Sequence, residues 1–75
     1  MSTLRKRSIL LAGHATSVAL EPEFWTALET VATTRGSSLA GLVAEVDAAR
    51  AEPTLPLASA LRLFALREAG GRGRS

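Results

Sequence analysis

The chain has 75 residues, no cysteine and one histidine. At this length it forms at most one domain, and folding buries only about 60% of the surface that the open chain exposes. Because neither disulfides nor a cluster of metal ligands can stabilise so small a core, we expect the chain to associate with a second copy of itself. The sequence contains no run of about 18 apolar residues, which excludes a membrane-spanning helix.

The net charge is only +2, but the charge is unevenly distributed. Seven of the nine basic residues lie near the two ends, whereas six of the seven acidic residues lie between Glu21 and Glu52. If the fold brings both basic ends to one face of the protein, that face would attract a polyanion such as nucleic acid. The other interpretation is that the two ends are solvated tails. The absence of cysteine and an apolar run (9–12) too short for a signal peptide predict a cytoplasmic protein.

Residues 1–7 show no periodicity and are predicted to be a flexible basic arm. In the next segment, SILLAGHATSVALE, the apolar pairs before and after Gly13 differ in parity, so one regular strand would place them on opposite faces. A hairpin with a turn at residues 13–14 removes the conflict and places Ile9 opposite Val18, Leu11 opposite Thr16 and Arg7 opposite Leu20. The other interpretation, which the sequence favours slightly, is a loose arm and one short strand over residues 15–20.

A first helix is predicted to begin at Pro22, since proline suits the first turn, and to end at Arg35 and Gly36. Its buried face follows the helical spacing of Phe24, Ala27, Leu28 and Val31.

A second helix, capped by Ser37 or Ser38, follows directly. Its apolar face has the same spacing and comprises Leu39, Leu42, Val43 and Val46.

The predicted third helix covers about residues 56–69, and a flexible basic tail covers residues 70–75. Leu63 and Leu66 widen the apolar surface of this helix beyond what one neighbouring element would cover. The helix is therefore expected to pack against two elements or a second chain. The domain as a whole is predicted to cover residues 8–69.

The order of strand, helix, Gly-Ser turn and helix in TSVALEPEFWTALETVATTRGSSLAGLVAEV resembles the ribbon-helix-helix superfamily of small bacterial proteins. The resemblance implies a mostly α fold with a short β ribbon, in which two chains form an intertwined homodimer, here with an added C-terminal helix. It also explains a lone strand, because a second copy would supply its pairing partner. The implied dimer core comprises Val18, Leu20, Phe24, Leu28, Val31, Leu39, Leu42, Val43 and Val46.

The resemblance implies a transcriptional regulator that inserts its ribbon into the major groove of double-stranded DNA. The base-facing residues would be Ala15, Ser17 and Ala19. The phosphate-contacting residues would be Arg5, Lys6, Arg7, Ser37 and Ser38, the serines through the start of the second helix. Ribbons of this kind usually present Arg, Lys, Asn or Gln to the bases, so Ala and Ser predict a contact of short reach and low sequence information.

The alternative function is a homodimeric protein-interaction module on the same fold, without sequence-specific DNA readout, which binds a partner through the apolar surface of the third helix. Neither interpretation needs a cofactor. His14 has no cysteine beside it and no acidic residue close in sequence, so neither a metal site nor a catalytic residue is predicted. The sequence predicts no enzyme and no membrane partner.

Overall fold

The structure is a computed structural model that describes residues 3–50 and 54–73, with side chains to residue 69. Two antiparallel strands, β1 (Arg5–Leu11) and β2 (His14–Leu20), form a ribbon. Three helices follow: α1 (Pro22–Arg35), α2 (Leu39–Ala48) and α3 (Leu57–Gly73). The predicted fold class, a short ribbon followed by helices with an added C-terminal helix, is confirmed.

The ribbon is a hairpin within one chain. Its turn consists of Ala12 and Gly13, with φ angles of 50° and 83°. Positive φ at both central residues is the hallmark of a type I′ turn, whose twist matches that of the flanking strands. The prediction of a flexible arm over residues 1–7 is therefore wrong for residues 5–7, which belong to β1; residues 1 and 2 lie outside the described residues.

The register of the hairpin differs from the predicted one by two residues. Ile9 lies opposite Thr16 rather than Val18, and Arg7 lies opposite Val18. The difference arises because the turn is one residue earlier than predicted, and a non-glycine residue occupies its first position. A shift of two residues keeps every side chain on its predicted face.

The inner face of the hairpin packs on the helices and closes the core within one chain. Val18 is 4% exposed and Leu20 is fully buried. The sequence-based reason for a dimer, a strand that needs a twin to pair with and to cover these two residues, is thus wrong. The other buried residues are Ile9, Trp25, Leu28, Val31, Ala32, Leu42, Val43, Val46, Ala60, Leu61 and Ala65.

The first helix buries a slightly different face from the predicted one. Trp25 lies in the core at 2% exposure, while Phe24 is only partly buried. The indole Nε1 of Trp25 donates a hydrogen bond of 2.8 Å to the carbonyl oxygen of Arg5. A buried indole N–H requires such an acceptor, so this bond fixes the start of β1 over α1.

The C-terminal helix extends further than predicted. Its backbone is helical to Gly73, so the predicted flexible tail over residues 70–75 is wrong for residues 70–73; residues 74 and 75 lie outside the described residues. α3 contacts both other helices and β2, as its wide apolar surface predicts. None of the described helices is long and apolar enough to cross a membrane.

Candidate nucleic-acid interface

The outer face of the hairpin is an exposed surface of six side chains, three from each strand. The register pairs Lys6 with Ala19, Ser8 with Ser17, and Leu10 with Ala15. All are exposed except Ala19, which is partly buried. The predicted base-facing residues of β2 therefore do share one face, and β1 adds three side chains beside them. We call these six residues the outer face.

Sequence reasoning assigns Lys6 to phosphate and misses Ser8 and Leu10, because it favours a loose arm before a single strand over residues 15–20. The signal that identifies them is the alternation along β1, which places residues 6, 8 and 10 on the face of the strand that points away from buried Ile9.

Arg7, a predicted phosphate contact, lies on the inner face of the hairpin. Its guanidinium forms an ion pair of 2.7 Å with Glu29 and lies 4.9 Å from the centre of the Trp25 ring. Both contacts hold the side chain against α1. This placement argues against the phosphate contact predicted for Arg7.

Unpaired positive charge is concentrated at the start of β1. Among the side chains that the structure describes, Arg5, Lys6 and Arg67 are the cations without an ion pair. The other described arginines pair with carboxylates: Arg7 with Glu29, Arg35 with Glu45 and Glu68, Arg50 with Asp47, and Arg62 with Glu21. The ribbon is therefore a surface that can attract an anion without breaking an internal ion pair.

The pair between Arg62 and Glu21 links α3 to the junction of β2 and α1. The guanidinium Nε of Arg62 donates a hydrogen bond of 2.9 Å to the Glu21 carboxylate. This hydrogen bond lowers the pKa of Glu21 from its ordinary value of 4.5. The carboxylate therefore stays ionised at neutral pH, and its charge is compensated by Arg62.

The predicted serines lie at the start of α2. The Ser38 Oγ accepts a hydrogen bond of 2.9 Å from the backbone N–H of Gly41, and the Ser37 Oγ donates to the Ser38 carbonyl oxygen at 3.1 Å. Ser38 is thus the N-cap. A Cβ added to Gly41 would lie 3.1 Å from both hydroxyl oxygens, so glycine leaves room for this cap. With no acidic residue in the first turn, the positive end of the helix dipole is not neutralised locally.

An apolar groove lies between α2 and α3. Its apolar lining includes Val46, Leu55, Leu63 and Phe64, and the charged side chains of Glu45, Arg50 and Arg67 also line it. Leu63 is 44% exposed, and Leu66, outside the groove, is 60% exposed. The surplus apolar surface predicted for the third helix is therefore partly solvent-exposed in one chain.

His14 begins β2 and is exposed. Among the described residues, no group of three or more His, Cys, Asp or Glu side chains has the arrangement of a metal site.

The comparison with known proteins agrees with this geometry. Residues 4–69 match the model of the ribbon-helix-helix domain. The chain belongs to the ribbon-helix-helix domain family. Members of this family are usually DNA-binding transcriptional regulators, and this ribbon-helix-helix domain forms its ribbon from both strands of one chain.

One solved structure similar to this ribbon-helix-helix domain is that of an uncharacterized protein from Bordetella pertussis Tohama I. The two are 32% identical with a TM-score of 0.79, over 99% of this chain and 63% of that chain. The chain thus spans less than two thirds of the length of that protein. No curated protein matches the chain.

Proposed function

We propose that this ribbon-helix-helix domain binds double-stranded DNA as a homodimer and regulates transcription, with the outer face of its hairpin in the major groove. The observation that supports this most directly is a two-stranded ribbon with one exposed face, whose opposite face places Ile9, Val18 and Leu20 in the core. The major groove admits a two-stranded ribbon, and side chains on its outward face then meet the edges of the bases.

Contacts to phosphate would position the ribbon. Arg5 and Lys6 lie at its N-terminal end, are exposed and have no ion-pair partner among the described side chains. The start of α2 offers backbone N–H groups next to Ser37 and Ser38, at the positive end of the helix dipole. Contacts of these kinds supply affinity and orientation but carry no sequence information directly.

A homodimer is supported by the apolar side chains that one chain leaves exposed. Leu4, Leu63 and Leu66 are 52%, 44% and 60% exposed. In a chain of 75 residues, association would add apolar burial to a core that is small by itself. A two-fold dimer would also present two ribbons to two half-sites of a palindromic duplex.

The test is a titration of labelled duplex at several salt concentrations, beside a measurement of mass in solution by sedimentation. We expect binding that weakens steeply as salt rises, because each neutralised phosphate releases counterions. Arg5→Ala should reduce the slope of log affinity against log salt by about 1. A monomer, or no detectable affinity for duplex at about 50 mM salt, contradicts the proposal.

A second candidate function, the protein-interaction module, is favoured by the exposed leucines of α3. The double substitution Leu63→Ser and Leu66→Ser separates the two. If α3 serves only a protein partner, this variant keeps its fold and its dimer but loses the partner. A variant that loses the dimer and duplex binding together assigns these leucines to the dimer interface instead.

A further inference from the structure

We infer that β1, and not the strand that leads into α1, carries the side chains that select a DNA sequence: Lys6 would contact guanine and Leu10 would contact a thymine methyl group. This inference rests on the proposed function. It transfers the main base-selecting role away from the short side chains of β2 and changes the role of Lys6 from phosphate to base contact.

The first reason is the difference in reach between the two strands. Across each outer pair at the ends of the face, a long side chain of β1 lies opposite an alanine of β2: Lys6 opposite Ala19, and Leu10 opposite Ala15. The β2 side chains end one or two atoms from the backbone, so they let this side of the ribbon approach the bases closely. Only the β1 side chains extend far enough to distinguish one base edge from another.

The second reason is that neither β1 side chain is used by the fold. Leu10 is 64% exposed, more than any other large apolar residue that the structure describes. Lys6 is exposed and forms no ion pair among the described side chains. Arg7, between them in sequence but on the inner face, is held by Glu29 and Trp25. The unused side chains of Lys6 and Leu10 thus lie on the same outer face of the hairpin.

The chemistry of the two side chains predicts which bases they select. A lysine ammonium group donates hydrogen bonds to the O6 and N7 acceptors of guanine in the major groove, whereas an apolar side chain favours the methyl group of thymine. Ser8 and Ser17, paired at the centre of the face, can donate or accept and therefore discriminate weakly.

The strand geometry predicts the spacing between the two preferences. Lys6 and Leu10 are four residues apart on one strand, which corresponds to about 13 Å at the usual rise per residue. Since base pairs are spaced by about 3.4 Å along the axis, the guanine and thymine preferences should lie about four base pairs apart.

The test begins with a duplex selected from a randomised library by the wild-type protein. Affinity is then measured for this duplex, for the same duplex with uracil in place of the selected thymine, and for one with 7-deazaguanine in place of the selected guanine. The proteins are wild type, Lys6→Ala, Leu10→Ala and, as a matched truncation on β2, Ser17→Ala. Circular dichroism verifies that each variant is folded.

We expect wild type to lose about 4-fold in affinity on the uracil duplex, the value of one methyl contact, and Leu10→Ala to bind the thymine and uracil duplexes equally. Lys6→Ala should lose about 5- to 150-fold on the selected duplex and become insensitive to 7-deazaguanine. Ser17→Ala should retain both base preferences.

Two results overturn the inference while the proposed function stands. One is a selection that yields no preferred sequence although duplex is bound; the other is a preference that survives in Lys6→Ala and Leu10→Ala. A protein that binds no duplex at low salt contradicts the proposed function itself and the inference with it.

Discussion

The two faces of the hairpin come from the same fourteen strand residues, yet they differ in almost every physical respect. The inner face contains buried Ile9, Val18 and Leu20, and its Arg7 forms an ion pair with Glu29. The outer face has an unpaired lysine, two opposed serines and an exposed leucine. Alternation along a strand thus lets one short segment serve the core and present a separate surface.

Charge in the sequence is therefore a poor guide to the charge that is available for binding. Arg5, Lys6 and Arg7 form one basic run, but Arg7 belongs to the fold and Lys6 does not. Lys6→Ala and Arg7→Ala are therefore a matched pair of variants. Each removes one positive charge, but the two are expected to affect DNA affinity differently.

The largest expected effect comes from Leu20 on the inner face, compared with Leu10 on the outer face of the hairpin. Leu20→Ala should lower the free energy of unfolding by about 2–5 kcal/mol, because Leu20 is fully buried. Leu10→Ala should change it by no more than about 0.5 kcal/mol, because Leu10 is 64% exposed. Urea unfolding measures both.

If Leu20→Ala does not fold, Leu20→Val gives a smaller step at the same site. Similar losses at the two leucines would contradict the assignment of the faces.

The cap of α2 gives the next effect. Ser38→Ala should lower the free energy of unfolding by about 1 kcal/mol, because it removes the acceptor of the Gly41 N–H. Ser37→Ala is the matched control and should cost less, since its hydroxyl donates only to a neighbouring carbonyl oxygen. Thermal unfolding of the two variants checks this order, and a reversal would assign the cap to Ser37.

A smaller effect is expected for the ion pair on the inner face. Glu29→Gln should lower the free energy of unfolding by less than about 1 kcal/mol, because both partners are about half exposed. The loss should shrink at high salt, where exposed charges are screened. A double-mutant cycle with Arg7→Ala measures the coupling; zero coupling at low salt would mean that the Trp25 contact alone holds Arg7.

The smallest effect concerns the pH dependence of Glu21. Its pKa is lowered by the hydrogen bond from Arg62, so the folded protein binds the proton less readily than the unfolded chain does. The stabilisation is therefore present above pH 4.5, the ordinary value, and is lost as the pH falls through the lower folded pKa. Wild type should be more stable than Glu21→Gln at neutral pH, and this difference should vanish in acid. A difference that is independent of pH would assign the effect to something other than the carboxylate charge.

Both ends of α1 and the start of α2 can be predicted because they depend on local chemistry. Proline at the start of α1, Gly36 with its positive φ at the end, and the serine cap of α2 all act within a few residues. These signals are in the sequence whatever packs against the helices.

The ribbon can be predicted only in part, because its register depends on a turn with unusual chemistry. Ala12 has a φ of 50°, which few non-glycine residues adopt, so a turn with glycine in its first position is the natural expectation. The parity of the apolar residues still predicts the correct faces. The pairing partner, β1 of the same chain, is difficult to recognise as a strand because it begins with three basic residues.

The burial of Trp25 illustrates what local patterns do not contain. The helical spacing favours Phe24 over it, but the acceptor that makes its burial favourable, the carbonyl oxygen of Arg5, lies twenty residues away. Likewise, Ser8 and Leu10 join the candidate site only because β1 pairs with β2. Contacts of this range follow from the tertiary fold.

The proposed binding of duplex DNA by the outer face of the hairpin is tested most directly at the neighbouring residues Lys6 and Arg7. Affinity for the selected duplex is measured by anisotropy for wild type, Lys6→Ala and Arg7→Ala at one low salt concentration. We predict that Lys6→Ala binds at least about 5-fold more weakly, while Arg7→Ala stays close to wild type. Equal losses in the two variants, or no loss in either, would contradict the claim.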